Sequence, residues 1–432
     1  MARPVCLLFG LLISSVLLAA EPAPADVRTY DHNPRHLWNR LHQTLFIRVA
    51  SDGTTYGHDR LDPLFWGTTK HLLEEPSQRR ALNVLDEFLR KDGEKLIRDP
   101  LRRAFLQHDL WALFDWSASP HARQSPQERA ELQLRLAQII RRLALTSEDL
   151  KSLPDNYARA VAANTPASLP SGLFIRDADW VNVTVGGEAA PSHTQNFGGR
   201  STFHVLVRLP EGRTATLAYL ERLSSFEPPW IYQESPHPSG RSIVMNPSMP
   251  QFPPGTQWAL VRRMRVIDSD GNVRATPIIE SIEVRRYVVV PQAGDSHEGS
   301  INWQQPFEFV ASRAGHGDLR ETRPGERDFW QFQAHDTDPF ELSAESLAWL
   351  RERDPDPFRN RLQRDVLRSC FTCHGNVGIH SVQSLAQLKD ARLLSAPKLQ
   401  ESDLGQVASE VVNSSSYQMG LLRGLWVRAG RP

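Results

Sequence analysis

Trp258-Ala259-Leu260-Val261-Arg262-Arg263-Met264-Arg265-Val266-Ile267, followed by Asp268-Ser269-Asp270-Gly271-Asn272, reads as a strand running into a turn. Large apolar and β-branched side chains fill the first part, and Asp, Ser, Gly and Asn fill the second, which is the chemistry of a chain reversal. The strand signal resumes at Ile282 and Val284 and again over 287–290. Upstream, Val181, Val183 and Val185 alternate with polar residues, as do Phe203, Val205 and Val207; Leu217 and Tyr219 continue the same period. Residues two apart share one face of a strand. Several short strands with turns between them predict an all-β, sandwich-like domain over 173–335.

Toward the N-terminus the period changes. Asn33-Pro34 reads as a helix cap with Pro in the first turn, and Leu37, Trp38, Leu41 and Leu45 follow at helical spacing. Ser77 opens a second stripe through Leu82, Leu85, Phe88 and Leu89. Asp99-Pro100 opens a third through Leu101, Phe105, Leu106, Leu110 and Leu113. Ser125-Pro126-Gln127-Glu128 is a capping box ahead of Leu132, Leu136, Ile139, Ile140 and Leu143. These stripes predict an all-α domain over 33–160 with its own core. The Pro-, Ser- and Asn-rich stretch 161–172 reads as a linker to the β-rich part.

From 341 the pattern is helical again. Leu342, Leu347 and Leu350 form one short stripe, and Asp354-Pro355-Asp356-Pro357 ends it. Phe358, Leu362, Val366 and Cys370 then step along one helix face into Cys370-Phe371-Thr372-Cys373-His374. This is C-x-x-C-H, the attachment pattern for c-type haem. Thiols three positions apart on one turn point the same way and reach both vinyl groups on one porphyrin edge. The His beside them lies under the ring, where its imidazole binds iron as proximal ligand. Other readings of C-x-x-C are weaker. A redox dithiol follows a buried strand, but the preceding stretch here is polar and helical. A zinc site needs four N or S ligands, and no second Cys pair exists. With 15 His among 432 residues, a chance His at the fifth position is rare.

On these five residues the last fifth of the chain resembles the monohaem c-type cytochromes; the remainder resembles no family. The resemblance implies one covalent haem c on Cys370 and Cys373, iron held by His374, and a small all-α haem domain over 341–432. Two downstream residues are candidates for the other axial position. Met419, 45 residues after His374, has the order found in small cytochromes, but it shares a stripe with Leu422 and Trp426 and would equally serve a core. His380, six residues after His374, is the second candidate, by a strained route around the haem edge; an open iron or a ligand from the larger part of the chain is the third. Arg359, Arg361, Arg364 and Arg368 take the other helix faces, read first as a solvated face and otherwise as steering an acidic redox partner or pairing with haem propionates.

Arg3, an apolar run of about 15 residues from Val5, and Ala23-Pro24-Ala25 predict a signal peptide over 1–25. Its removal takes away Cys6, so the mature chain keeps only the two motif thiols. Export to the periplasm agrees with the compartment that the haem resemblance implies, and no transmembrane span remains after cleavage. An uncleaved anchor is the competing reading. Zero formal net charge and a pI near 7.3 give no footprint for nucleic acid.

The whole chain therefore reads as multidomain: N-terminal all-α, central all-β and sandwich-like, C-terminal all-α and cytochrome c-like. Function reads first as single-electron transfer to a redox partner protein. A haem-dependent enzyme with its active site in the first 340 residues, and a gas sensor with an open iron, are the alternatives. No H-E-x-x-H, G-x-S-x-G or G-x-G-x-x-G supports the enzyme. His36, His42 and His121 are its only candidate ligands, and each reads more simply as a capping or surface His.

Overall fold

The structure, a computed structural model, describes residues 28–57, 71–118, 126–185, 189–190, 193–194, 197, 199–226, 230–234, 240–290, 304–322, 340, 343–346, 378–382, 399–402 and 417–429. In chain order the helices are α1 (Leu37–Phe46), α2 (Ser77–Arg90), α3 (Pro100–Ser117), α4 (Pro126–Arg142), α5 (Ser147–Ser152), α6 (Asn156–Ala163), α7 (Arg213–Ser225), α8 (Ile379–Val382) and α9 (Tyr417–Ala429). The strands are β1 (Arg48–Val49), β2 (Thr55–Tyr56), β3 (Val181–Val185), β4 (Ser201–Arg208), β5 (Trp230–Glu234), β6 (Arg241–Met245), β7 (Gln257–Ile267), β8 (Val273–Tyr287), β9 (Gln304–Ala311), β10 (Leu319–Glu321) and β11 (Leu399–Glu401).

The turn at 268–272 forms as its residues demand. Asp268 Oδ1 accepts from the backbone N–H of Asp270 at 3.0 Å and of Asn272 at 2.7 Å. Gly271 takes φ +82°, open to Gly without a Cβ penalty. The hairpin it closes, β7 with β8, is the centre of one seven-stranded sheet in the order β10-β9-β8-β7-β4-β3-β11, every neighbour antiparallel. β1 with β2 and β5 with β6 form two separate hairpins.

Helices cover both faces of this sheet, where a second sheet was expected. Side-chain alternation sorts the core into two sides. On the first side, Leu206, Ala259, Val261, Ile282 and Val284 pack with the helical layer of α1 to α4 and α6. On the second, Val181, Val183, Val207, Trp258 and Tyr287 pack with Tyr219, Leu220 and Leu223 of α7. Leu217 and Tyr219 mimicked a strand because they stand two apart. Thr216, Tyr219, Leu220 and Leu223 are the buried positions, and their spacing is helical.

The N-terminal helices begin close to where the sequence placed them. Asp99 caps α3 by accepting from Leu101 N at 3.0 Å, with Pro100 in the first turn. Ser77 opens α2 and Pro126 opens α4. α1 starts three residues late, with the His36 side chain, not Asn33, accepting from Trp38 N. The helical layer does not keep a core to itself: one buried cluster runs from Trp38 and Leu110 through Ile140 to Ile279 and Phe309 of the sheet. Among the described residues, no helix is long and apolar enough to cross a membrane.

Candidate functional site

Cys370, Cys373 and His374, like the leader with Cys6, lie outside the described residues. The description resumes four residues after His374, at Gly378, and there the chain is held against the second face of the sheet. Gly378 has φ +52°, and a Cβ on it would fall 2.1 Å from Gln251 Oε1 and 3.0 Å from Val290 Cγ1. The same Gln251 Oε1 accepts from Ile379 N at 3.0 Å. Ile379 is fully buried in the apolar cluster of Met249, Phe252, Trp258, Tyr287 and Val290. Ser381 Oγ donates to Gly378 O at 2.8 Å and bonds the buried Tyr287 hydroxyl. Burial pushes the Tyr287 phenol up from its ordinary range, so it stays neutral and able to donate.

His380 stands in the middle of this clamp. Burial lowers its pKa, and a hydrogen bond to the backbone of Asn246 opposes the shift. Its Nε2 is buried with no hydrogen-bond partner. Neighbours on both sides, Ile379 and Ser381, fix the backbone that carries it.

Met419 is placed elsewhere. It is buried on α9 with Leu422 and Trp426, inside the cluster that joins the helical layer to the first face of the sheet. Arg141 donates to Trp426 O at 2.7 Å, and Arg423 donates to Gly271 O at 3.2 Å. The two downstream candidates thus occupy opposite sides of the sheet. A third piece of the C-terminal region, β11, pairs with β3 at the sheet edge, and Glu401 bridges to Arg213 of α7 at 2.8 Å. The expectation for 341–432 was all-α. β11 departs from it, because the edge of β3 offers unpaired backbone groups that a strand satisfies.

A second polar cluster, unforeseen from sequence, lies between α3 and the sheet. Asp109 accepts two hydrogen bonds from Arg313 at 2.7 and 2.6 Å, both side chains buried. Asp115 pairs with Arg200. His108 Nε2 lies 2.6 Å from Glu280 Oε1, and Glu280 Oε2 accepts from Ser201 Oγ at 2.6 Å. Burial pushes the Asp115 carboxyl up, against the pull of Arg200. Ser201 thus bonds the Glu280 carboxylate and not the His108 imidazole, so the three do not take the order Ser–His–acid of a hydrolase triad. Removing one partner of a buried pair costs about 3–5 kcal/mol; these pairs fix how α3 sits on the sheet. The available signal was Gln107-His108-Asp109, three polar residues in a row inside an apolar helix.

His36 caps α1, and His42 Nε2 lies 2.8 Å from Gly57 O, both structural uses; His121 lies outside the described residues. Among the described residues no three His, Cys, Asp or Glu come together to hold a metal ion. No protein-family model, no curated protein and no solved structure matches the chain.

Proposed function

We propose that this chain is an exported c-type cytochrome that carries one covalent haem and passes single electrons to a redox partner protein. The observation that carries the reading is Cys370-Phe371-Thr372-Cys373-His374. The donor set suits the group: two thiols three apart for the vinyl edge and an imidazole directly after them. The orphaned imidazole nitrogen of His380, so close downstream, supports the same reading. Bound haem supplies a one-electron couple. Cys370 and Cys373 would hold it as thioethers to its vinyl groups, and His374 would bind its iron. The leader read over 1–25 supports periplasmic delivery, where such attachment takes place in the family it resembles. The small haem domain over 341–432 remains part of this proposal, but with its described pieces seated on the main body.

The test is expression in a cytochrome-maturing host. Denatured protein should keep haem-dependent peroxidase stain on a gel, and the intact mass should rise by one haem. Cys370→Ala or Cys373→Ala should weaken or abolish attachment, and His374→Ala should disturb the Soret band. Two free thiols in the purified parent protein would overturn the proposal.

A further inference from the structure

We propose that Arg263, Thr202 and His204, on the first face of the sheet, form a binding site for a small monocarboxylate. The site is independent of the haem reading and lies wholly among the described residues. Thr202 and His204 stand two apart on β4 and so share a face with Leu206. Arg263 of β7 is the cross-strand partner of Thr202, and such partners also share a face. Phe174 lies across from them. Its ring meets His204 edge-on at 5.8 Å between centroids, and the Arg263 guanidinium carbon is 4.8 Å from its centroid. Tyr157 pins the segment that carries Phe174. Its ring packs edge-on at 5.2 Å, and its hydroxyl accepts from Leu173 N at 3.0 Å and donates to Pro170 O at 2.8 Å. Arg263 and Phe174, both half-buried, form the mouth, with Thr202 and His204 buried behind them.

Charge is the observation that points to an anion. Arg200, Arg262 and Arg313 are buried too, and each faces an acid, namely Asp115, Glu280 and Asp109. Arg263 makes no ion pair with any of the described residues. Asp155, whose field reaches it, is exposed and is engaged as the cap of α6, accepting from Ala158 N at 2.9 Å. Burial lowers the Arg263 pKa, but from so high a range that the group stays charged. A cation withdrawn from water without a partner is costly. A bound anion removes that cost.

The polar atoms around it decide which anion. Arg263 Nε, Thr202 Oγ1 and both ring nitrogens of His204 are buried with no hydrogen-bond partner among the described residues. Single atoms of this kind occur elsewhere in the protein; here four fall on three adjacent residues, one of them the unpaired cation. Burial holds His204 neutral, with its pKa at about 3, so the ring adds no second positive charge. One positive charge balances a carboxylate, whereas phosphate carries nearer two negative charges at neutral pH. The Arg263 Nε–H, the Thr202 hydroxyl and the one N–H of neutral His204 can all donate to carboxylate oxygens. The other ring nitrogen is left to accept from a ligand hydroxyl.

Calorimetric titration of the full-length protein at neutral pH tests this, with sodium acetate and sodium glycolate as probes. Saturable binding of a single anion per chain is expected, and sodium chloride and phosphate at equal ionic strength should not reproduce it. In nitrogen-labelled protein the same titration should move the ring signals of His204, identified by their loss in His204→Gln. Arg263→Gln should weaken binding about ten- to a hundredfold, as loss of a hydrogen bond to a charged group does. Thr202→Val leaves the cation in place and should weaken it about tenfold; it carries the test if Arg263→Gln does not fold. No saturable binding to the parent, with the His204 signals unmoved, would mean that ordered water alone fills the site, and the proposal would fall. Phosphate or chloride binding as tightly as either carboxylate would overturn the ligand class. Parent-like affinity in Arg263→Gln, or in Thr202→Val, would overturn the site.

Discussion

Replacing Gly378 by Ala tests whether the chain just past Cys370-Phe371-Thr372-Cys373-His374 is locked onto the sheet. Two costs arise. At φ +52° an L-residue with a Cβ pays about 1–2 kcal/mol that Gly does not. The new methyl also falls 2.1 Å from Gln251 Oε1, which must move away. That side chain is flexible, so the overlap itself is relieved cheaply. Its departure, however, strands the Ile379 N–H beside a fully buried side chain, at about 1–3 kcal/mol. The sum is about 2–5 kcal/mol. In a Gln251→Ala background the hydrogen bond is already gone, so Gly378→Ala there should cost only the backbone part, about 1–2 kcal/mol. Urea unfolding of the four proteins, with equal slopes, gives the coupling directly. A coupling of about 1–3 kcal/mol is expected from the lost bond. Full additivity would mean that Gln251 does not hold the segment. An undiminished Gly378→Ala protein would mean that the segment is not docked at all.

Two further outcomes follow from the same structure. Burial, reinforced by nearby Arg263, pushes the His204 pKa down to about 3, so it stays neutral when folded. Below about 6.5 the unfolded chain gains a proton that the folded chain refuses, so stability falls with pH between about 6.5 and 3, by up to about 1.4 kcal/mol per unit. His204→Phe should remove that slope, and parallel stability–pH curves for variant and parent would refute the assignment. A fragment spanning 341–432 should load far less haem than the full chain on a stained gel, because Gln251, Tyr287 and Val290 are absent from it. Equal loading would show that the fragment completes its own site.

What the sequence revealed depended on whether neighbours in sequence were also neighbours in space. The 258–267 strand and its 268–272 turn were legible because both are decided locally, by β-rich side chains and by an Asp that bonds its own backbone. The helix starts at Ser77, Asp99 and Pro126 were legible for the same reason. The layering was not. Alternation of Phe203, Val205 and Val207 says that a strand has two faces, but not that helices cover both. Nor did anything local mark Asp109 as the partner of Arg313, 204 residues away. At the candidate site the five-residue motif was legible by its spacing. The difference between His380 and Met419 was not, because it depends on which side of the sheet each returns to. A stripe of Met419, Leu422 and Trp426 looks the same whether it faces a haem or a helix layer.

The course of the chain after the motif ties the proposed haem to the rest of the molecule. At 378–382 it lies on the second face of the sheet, at 399–401 it adds a strand to the edge, and at 417–429 it packs on the helical layer against the first face. Each contact uses residues far back in sequence: Gln251 and Tyr287, then β3, then Arg141 and Gly271. A segment attached at three places on both sides of a sheet cannot be released without exposing core on both sides. The first 340 residues are therefore more than a support for the C-terminal segment: they supply the buried contacts that hold it at each of these places.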